Sequence, residues 1–421
     1  MAVSEADTAV ESPEDRRNAR LYLTGLGCSV IGSMALSLVA GIWVKSLTGS
    51  SSQAGLVSAC VYLPSLFGPL AGIAADRVAR RRLLVRLSLV SAVADLPLLA
   101  VRSAAWTWII FCVMTWYGTQ FVLSGPAEDA LFAQMLPQDL RQRVNGWRLG
   151  LQESGRLVAP LAGAGLFALA GGGAVALVDA ATFAVAAVAT ARLRVPDEAP
   201  PRAGRASWQA DLLAGYAHIR RTPALAAVLG VGAVVMALSG GLVAAQYSLV
   251  QGVGEPPAFL GVFSACLGGG SIAASLVSSR VLRRVGERWL AVFGMADFAA
   301  GSALRATGVL GWAIAGTVVL GFALPWVFLA VINLAQRVTS AQLQGRVSAA
   351  VMLAMFGPQA PMQALGSLAI RYGTFRQLFA GAAIVALTCA AYLARRAGEH
   401  HAAPDSSARL RPATKGTDSS R

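Results

Sequence analysis

Charge is what this chain has least of. Asp, Glu, Lys and Arg together make up 13% of its 421 residues, too few to cover the surface of a water-soluble protein of that size. Acids are the scarcer sign: 21 of them stand against 35 basic residues, a formal net charge of +14. There are three histidines and five cysteines. Cys28, Cys60, Cys112, Cys266 and Cys389 lie far apart inside apolar segments, with no CxxC and no histidine cluster nearby, which argues against a metal site or a disulfide framework. His400 and His401 are adjacent in a polar tail and read as solvated side chains rather than a metal pair. No GxxxxGK[ST] loop is present to cradle nucleotide phosphates, so direct ATP hydrolysis is not expected. No Ser/His/Asp or paired-carboxylate constellation occurs outside the apolar runs, and the chain is read as no enzyme and as needing no cofactor. The first twenty residues carry acids and no apolar core, so no cleavable signal peptide is expected and the first span does that work.

What the chain has in abundance is apolar sequence. Hydrophobic residues make up 56% of it and the mean hydropathy is +0.59, so lipid is expected to form part of its surroundings. Twelve apolar runs reach the roughly 17 to 25 residues that cross a bilayer as helix: 21–44, 52–75, 83–101, 105–126, 145–170, 173–191, 223–250, 257–278, 288–306, 311–335, 347–370 and 374–394. An even number puts both termini on one side. If that side is the cytoplasm, the outer turns hold only Lys45, Arg102, Arg305, Arg371 and Arg376, and nearly all other basic residues fall inside, as the positive-inside rule requires. The arginines thus report topology rather than phosphate binding, and nucleic acid is not an expected partner.

The chain is also duplicated. Asp76-Arg77-Val78-Ala79-Arg80-Arg81 aligns with Ser279-Arg280-Val281-Leu282-Arg283-Arg284, and Leu140, Arg143 and Val144 align with Leu343, Arg346 and Val347, each pair 203 positions apart. A parallel repeat of six-helix halves is a common plan for secondary transporters, with the substrate held between the halves near the bilayer midplane. The expected organisation is a tail over 1–20, a six-helix half over 21–194, a linker over 195–222, a second half over 223–396 and a disordered tail over 397–421. The linker begins with the breaker-rich Val195-Pro196-Asp197-Glu198-Ala199-Pro200-Pro201. It continues into an amphipathic helix with Trp208, Leu212, Leu213, Tyr216 and Ile219 on one face, suited to lie on the inner leaflet.

Two motifs carry chemistry. The first is Gly72-x-x-x-Asp76-Arg77-x-Ala79-Arg80-Arg81-Arg82. Gly72 allows close approach of a neighbouring helix, and Asp76 suits the positive end of another helix. This resembles the signature loop of the major facilitator superfamily, with Ala79 where that family usually has glycine; its degenerate copy keeps Arg280, Arg283 and Arg284. The second motif is Gly146, Gly155, Ala159-Pro160 and Gly163-Ala164 in span five, a smooth face able to slide against another helix. It is similar to the antiporter signature of superfamily exporters. With Leu47-Thr48-Gly49-Ser50, Gly55-Leu56-Val57, Leu63-Pro64, Gly68-Pro69-Leu70-Ala71-Gly72, Leu136-Pro137 and Arg143-Val144-Asn145, the chain resembles the macrolide-efflux and enterobactin-exporter-like drug–proton antiporter branch over about 20–396. It lacks the arginine that many such antiporters carry in span four.

The resemblance implies an all-α membrane protein of twelve transmembrane helices in two six-helix halves. It implies proton-driven efflux of a bulky, hydrophobic drug, antibiotic or secondary metabolite by a monomer in the cell membrane. A proton-coupled importer and a non-transporting receptor or scaffold are the alternatives. Ionisable groups within the bilayer are functional candidates by default. Glu153 and Arg156 share a helix face and suit a pair; Asp297 stands in span nine without an arginine near it; Asp95 and Asp179 lie near the outer ends of spans three and six, where water is within reach. Glu153 ranks first as proton carrier. Spans one, four, seven and ten line the cavity in the superfamily, which nominates Ser29, Ser33, Trp116, Tyr117, Gln120, Gln246, Tyr247 and Asn333 as substrate contacts, although aromatics also anchor at lipid interfaces. Asp76→Asn is expected to leave the protein inserted but to cut transport strongly, whereas Arg280→Ala in the degenerate copy does less. Transport measured at matched membrane abundance checks this; equal losses would refute the asymmetry.

Overall fold

The structure is a computed structural model and describes residues 12–67, 79–136, 138–195, 208–340 and 343–401. Among these every regular element is helical. In chain order they are α1 (Pro13–Thr48), α2 (Ser51–Tyr62), α3 (Arg80–Asp95), α4 (Thr107–Met135), α5 (Gln138–Ala191), α6 (Trp208–Arg221), α7 (Pro223–Gly241), α8 (Val243–Gly252), α9 (Leu260–Ala306), α10 (Leu310–Val338), α11 (Gln344–Phe356), α12 (Gln359–Tyr372) and α13 (Phe375–His401). Eight described stretches are long and apolar enough to cross a bilayer. Two of these, Arg143–Ala191 and Pro257–Ala306, run to 49 and 50 residues, more than twice the length one crossing needs.

Both long stretches fold back on themselves. In α5 the reversal is at Gly171 (φ 78°, ψ 177°) and in α9 at Gly286 (φ 76°, ψ 173°), conformations that glycine alone adopts without steric cost. The packing shows the reversal directly. Along α1, Gly27 meets Leu151, Gly155 meets Val30 and Gly163 meets Ala35, so the first arm of α5 runs parallel to α1. Gly25 meets Ala186 and Ala189, Gly32 meets Asp179, and Gly172 meets Trp43, so the second arm runs antiparallel to it. The arms of α9 treat α10 in the same way: Gly270 lies against Val318 and Gly321, while Gly294 meets Ala323 and Gly301 meets Gly316.

The duplication is visible in the element bounds. Thr107–Met135 and Leu310–Val338 are both 29 residues long and lie 203 positions apart, the same displacement read from the motifs. By that shift α1 answers to α7 with α8, α3 to the second arm of α9, and the second arm of α5 to α13. Expected span seven is thus two helices meeting at Leu242, and expected span eleven breaks at Gly357-Pro358.

Several boundaries differ from expectation. α1 starts at Pro13, inside the stretch read as an N-terminal tail, because Ser12 and Asp15 form a reciprocal capping box at 3.0 and 3.2 Å. α13 runs to His401, since Ala394, Arg395, Arg396, Ala397 and Glu399 are strong helix formers; residues 402–421 of the expected disordered tail lie outside the described residues. The linker helix α6 forms, but its apolar face is divided. Ile219 is buried and Gly215 packs on the Arg346 backbone, whereas Leu213 and Tyr216 are exposed.

Close helix contact at glycine sets a test of the packing. A Cβ on Gly301 would stand 2.6 Å from the Gly316 carbonyl oxygen, while one on Gly311 meets nothing within 4 Å. Gly301→Val is therefore expected to lower stability by about 1–3 kcal/mol through overpacking and Gly311→Val to lower it less, as read from thermal unfolding in detergent.

Candidate functional site

The first motif lies partly outside the described residues: Gly72, Asp76 and Arg77 are not among them. Ala79 has φ −56°, open to any residue, so alanine in place of the family's glycine carries no backbone penalty there. Arg80 donates to Gln134 Oε1 at 3.4 Å, and Arg81 donates to the carbonyls of Leu193 and Ala191 at 3.0 and 3.4 Å. Arg17 and Asn18 also reach carbonyls beyond α5, those of Arg192 and Arg194. These side chains satisfy acceptors that a helix C-terminus leaves open. Through these bonds Arg81 ties α3 to the end of α5. In the second copy Arg280, Arg283 and Arg284 are exposed, and the corresponding helix ends are joined by Glu287 and Arg337 at 3.0 Å.

The span-five motif separates into two faces. Gly155 and Gly163 face α1 of their own half: a Cβ on Gly155 would lie 2.8 Å from Val30 Cγ1, and one on Gly163 2.8 Å from Ala35 Cβ. A Cβ on Gly146 would meet nothing within 4 Å among the described residues. The contact between halves is made by the other stripe, where Leu157 meets Gly268, and Pro160 and Ala164 meet Gly261. Toward the chain termini this stripe opens. Glu153 is exposed, a Cβ on Gly150 or Gly146 would meet nothing within 4 Å among the described residues, and Ser275, Leu276 and Ser279 on the facing arm of α9 are exposed as well.

Among the described residues, therefore, the halves meet at the end remote from the termini and part at the end that carries them. Among the described residues the closed end is sealed by small residues and one polar contact across the seam. Gly55 receives Ala244 and Ser367, and Gly41 receives the Tyr247 hydroxyl. Lys45, buried, donates from Nζ to Gly49 O at 2.7 Å, to Ser51 Oγ at 2.9 Å and, across the seam, to Gln251 Oε1 at 2.7 Å.

The intramembrane acids fall out differently from the sequence ranking. Glu153 and Arg156 approach to 3.6 Å, yet both are open, at 49% and 65% side-chain exposure, and an ion pair so placed contributes little. Asp297 is half-buried with no side-chain partner among the described residues. Asp95 and Asp179, expected to reach water, are both 0% exposed. Tyr117 of α4 stands between them. Its hydroxyl contacts Asp179 Oδ2 and lies 3.0 and 3.1 Å from the two oxygens of Asp95. Asp179 Oδ1 also accepts from Thr182 at 3.0 Å, and Trp116 Nε1 donates to Ser91 Oγ at 3.0 Å on the same pair of helices.

The nominated substrate contacts are correspondingly divided. Tyr117 and Tyr247 are buried at 5% and 6% exposure, one between carboxylates and the other against Gly41, so neither lines the opening between halves. Trp116 is half-buried and spent on Ser91. Asn333 donates to the Leu329 carbonyl of its own helix at 2.9 Å, while Ser33 and Gln246 are half-buried. Ser29 and Gln120 do come together, in a hollow inside the first half shared with Tyr22, Ser88, Glu128 and Thr190. Glu128 was missed because span four was ended at 126, whereas α4 continues to Met135. Beside it Asp129 pairs with Arg148 at 2.6 Å.

Residues 22–360 match the family model of the Major Facilitator Superfamily. The chain belongs to that superfamily and is an integral membrane protein of its secondary-transporter class. Macrolide efflux protein A of Streptococcus pyogenes is 24% identical over 216 residues, 50% of this chain and 53% of that protein; the chain thus spans about half the length of this relative. Among solved structures, nucleoside transporter NupG superposes with a TM-score of 0.70 at 13% identity, covering 91% of this chain and 99% of that one. A bacterial homologue of the iron transporter ferroportin in its inward-facing state gives 0.65 at 16% identity, covering 90% and 98%. These likenesses establish the fold.

The seam at Lys45 has a measurable consequence. Hydrogen bonds to charged groups contribute about 1.5–3 kcal/mol, so Gln251→Ala is expected to shift the population toward opening at that end. A cysteine introduced at Ala54, buried in the seam, should then react faster with a membrane-impermeant maleimide than in the parent carrying Gln251. Unchanged labelling would mean that Lys45 does not hold the seam closed.

Proposed function

We propose that this chain exports a hydrophobic drug, antibiotic or secondary metabolite in exchange for protons, by alternating access, as a monomer in the cell membrane with both termini in the cytoplasm. The observation that carries the reading is the pairing of two features: an opening between the halves at the end bearing the termini, and a closed seam at the other. With most basic residues at the open end, the positive-inside rule favours the cytoplasm for that side. A cavity open to the cytoplasm is the loading state of an exporter. Resemblance to macrolide efflux protein A over half the chain supports efflux of a large, weakly polar molecule. So does the paucity of charge along the opening, where Glu153 and Arg156 partly neutralise each other.

Transport direction tests this reading. In everted membrane vesicles the cytoplasmic face looks outward, so acidifying the vesicle interior should drive uptake of a radiolabelled macrolide, and an uncoupler should abolish it. Gly155→Leu should also abolish it, because a larger side chain there collides with Val30 and Met34 of α1. Uptake into intact cells that requires an inward proton gradient would make the protein an importer and end the export reading.

A further inference from the structure

The strongest unassigned feature is the group of polar side chains sealed inside the first half. Asp95 ends α3, Tyr117 lies mid-way along α4, and Asp179 sits two turns past the reversal in α5. Tyr117 stacks edge-on against Phe183 at 5.7 Å, and α1 closes the fourth side with Gly32, which has no room for a Cβ beside Asp179 Oδ1 and Thr182 Oγ1. Among the described residues the groups acting electrostatically on the three are one another and the Thr182 hydroxyl; no lysine or arginine is among them. Ser91, one turn before Asp95 on α3, accepts from Trp116 Nε1.

Counting donors decides the protonation. A phenol has one hydrogen, and a carboxylate has none. Tyr117 makes contact with both acids, so with both ionised one of its contacts is an oxygen facing an oxygen with no hydrogen between. One additional proton removes the conflict. Asp179 has Tyr117 and the Thr182 hydroxyl within hydrogen-bond distance, the latter sharing its one hydrogen with the Asp179 carbonyl at 2.8 Å, whereas among the described residues Tyr117 is the one hydrogen-bond partner of Asp95. The negative charge therefore rests on Asp179 and the proton on Asp95, giving a chain from the Asp95 hydroxyl to Tyr117 Oη and from the Tyr117 hydroxyl to Asp179 Oδ2.

A second observation is independent of these bonds. The positions 203 later hold Phe298, Leu320 and Ala382, all buried in the core of the second half. The same bundle position is thus filled by apolar side chains where only packing is required. Burying two carboxylates without a cation is costly, and the fold does not need them.

We infer that Asp95, Tyr117 and Asp179 form a proton-binding site that holds one exchangeable proton in the conformation described, and that its release to the solvent is the proton step coupled to substrate movement. The second half of this statement rests on the exporter reading; the first does not. Release leaves two negative charges on one phenol, a repulsion relieved by separating α3 from α5 or by admitting water. α1, pressed on Asp179 through Gly32, also carries Lys45 at the seam.

Infrared spectroscopy of the purified full chain in lipid nanodiscs tests the site without a substrate. The wild type should show the carbonyl stretch of a buried protonated carboxylic acid at neutral pH, and Asp95→Asn should remove it. Persistence of the band in both Asp95→Asn and Asp179→Asn would overturn the inference. Loss of the band on replacing choline chloride with sodium chloride would overturn it in favour of a sodium site. In proteoliposomes, Asp95→Asn should cut macrolide accumulation driven by a pH gradient roughly tenfold while leaving exchange of labelled for unlabelled macrolide intact. Loss of gradient-driven accumulation in Glu153→Gln with none in Asp95→Asn would move the coupling proton to span five. If Asp95→Asn does not fold, the triple change Asp95→Phe, Tyr117→Leu and Asp179→Ala, which copies the second half, replaces it in both measurements. Should the wild type move no macrolide, the exporter reading fails alone and the infrared result still decides the site.

Discussion

Lipid tails are as apolar as leucine, so helices in a bilayer gain little by burying leucine against leucine and associate instead where their backbones come close. In this chain that constraint falls most heavily on α1. It lies between the two arms of α5, parallel to one and antiparallel to the other, and meets them at Gly155, Gly163 and Gly172 on their side and at Gly25 and Gly32 on its own. The arrangement fixes the reversal at Gly171, sets the depth of Asp179, and carries Gly41 and Lys45 to the second half. An additional methyl group at Gly32 would strike the carboxylate itself.

The two halves share a backbone plan and divide the chemistry unequally. α4 and α10 have the same length at the same displacement, yet Tyr117 answers to Leu320. The arginine side chain follows the opposite course. Arg102 is exposed, while Arg305 at the corresponding position is buried, its guanidinium 4.6 Å from the Phe379 ring centroid and 5.6 Å from that of Phe263. At the helix ends near the termini, an Arg80–Gln134 bond in one half is matched by Glu287–Arg337 in the other. Contacts that hold helices in register are thus kept in kind although the residues differ. The buried carboxylates have no counterpart, which separates them from the scaffold.

Much of the fold is legible in the sequence because it follows from length and repetition. Apolar runs of spanning length and the 203-residue displacement each leave a pattern that needs no tertiary knowledge. Side-chain environment leaves no such pattern. Asp95 precedes Leu96-Pro97, where an aspartate reads as a cap or a solvated turn residue; in the structure its side chain makes no cap bond and turns inward to Tyr117, a residue 22 positions away. Asp179 and Tyr117 lie 62 apart, and nothing local links them. Glu153 and Arg156 were easier to notice because they are three apart on one helix, the kind of neighbour a sequence displays, and they prove to be the exposed pair. Leu213 and Tyr216 share a helical face with Ile219 but not its burial, since α6 docks on α11 along one edge of that face.

The geometry also orders events along α1. Its middle touches Asp179, its far end holds Gln251 through Lys45, and its near side packs on the arm of α5 whose opposite stripe meets α9. A displacement of α1 against Asp179 cannot leave the seam unchanged, because Gly41 has no space between Tyr247 and α2 in which to absorb it. Packed interiors respond to such shifts by switching between discrete arrangements rather than by bending gradually. Under the proposed proton site, loss of the proton from Asp95 acts on the closed seam at Lys45, more than two helical turns away, through one rigid helix.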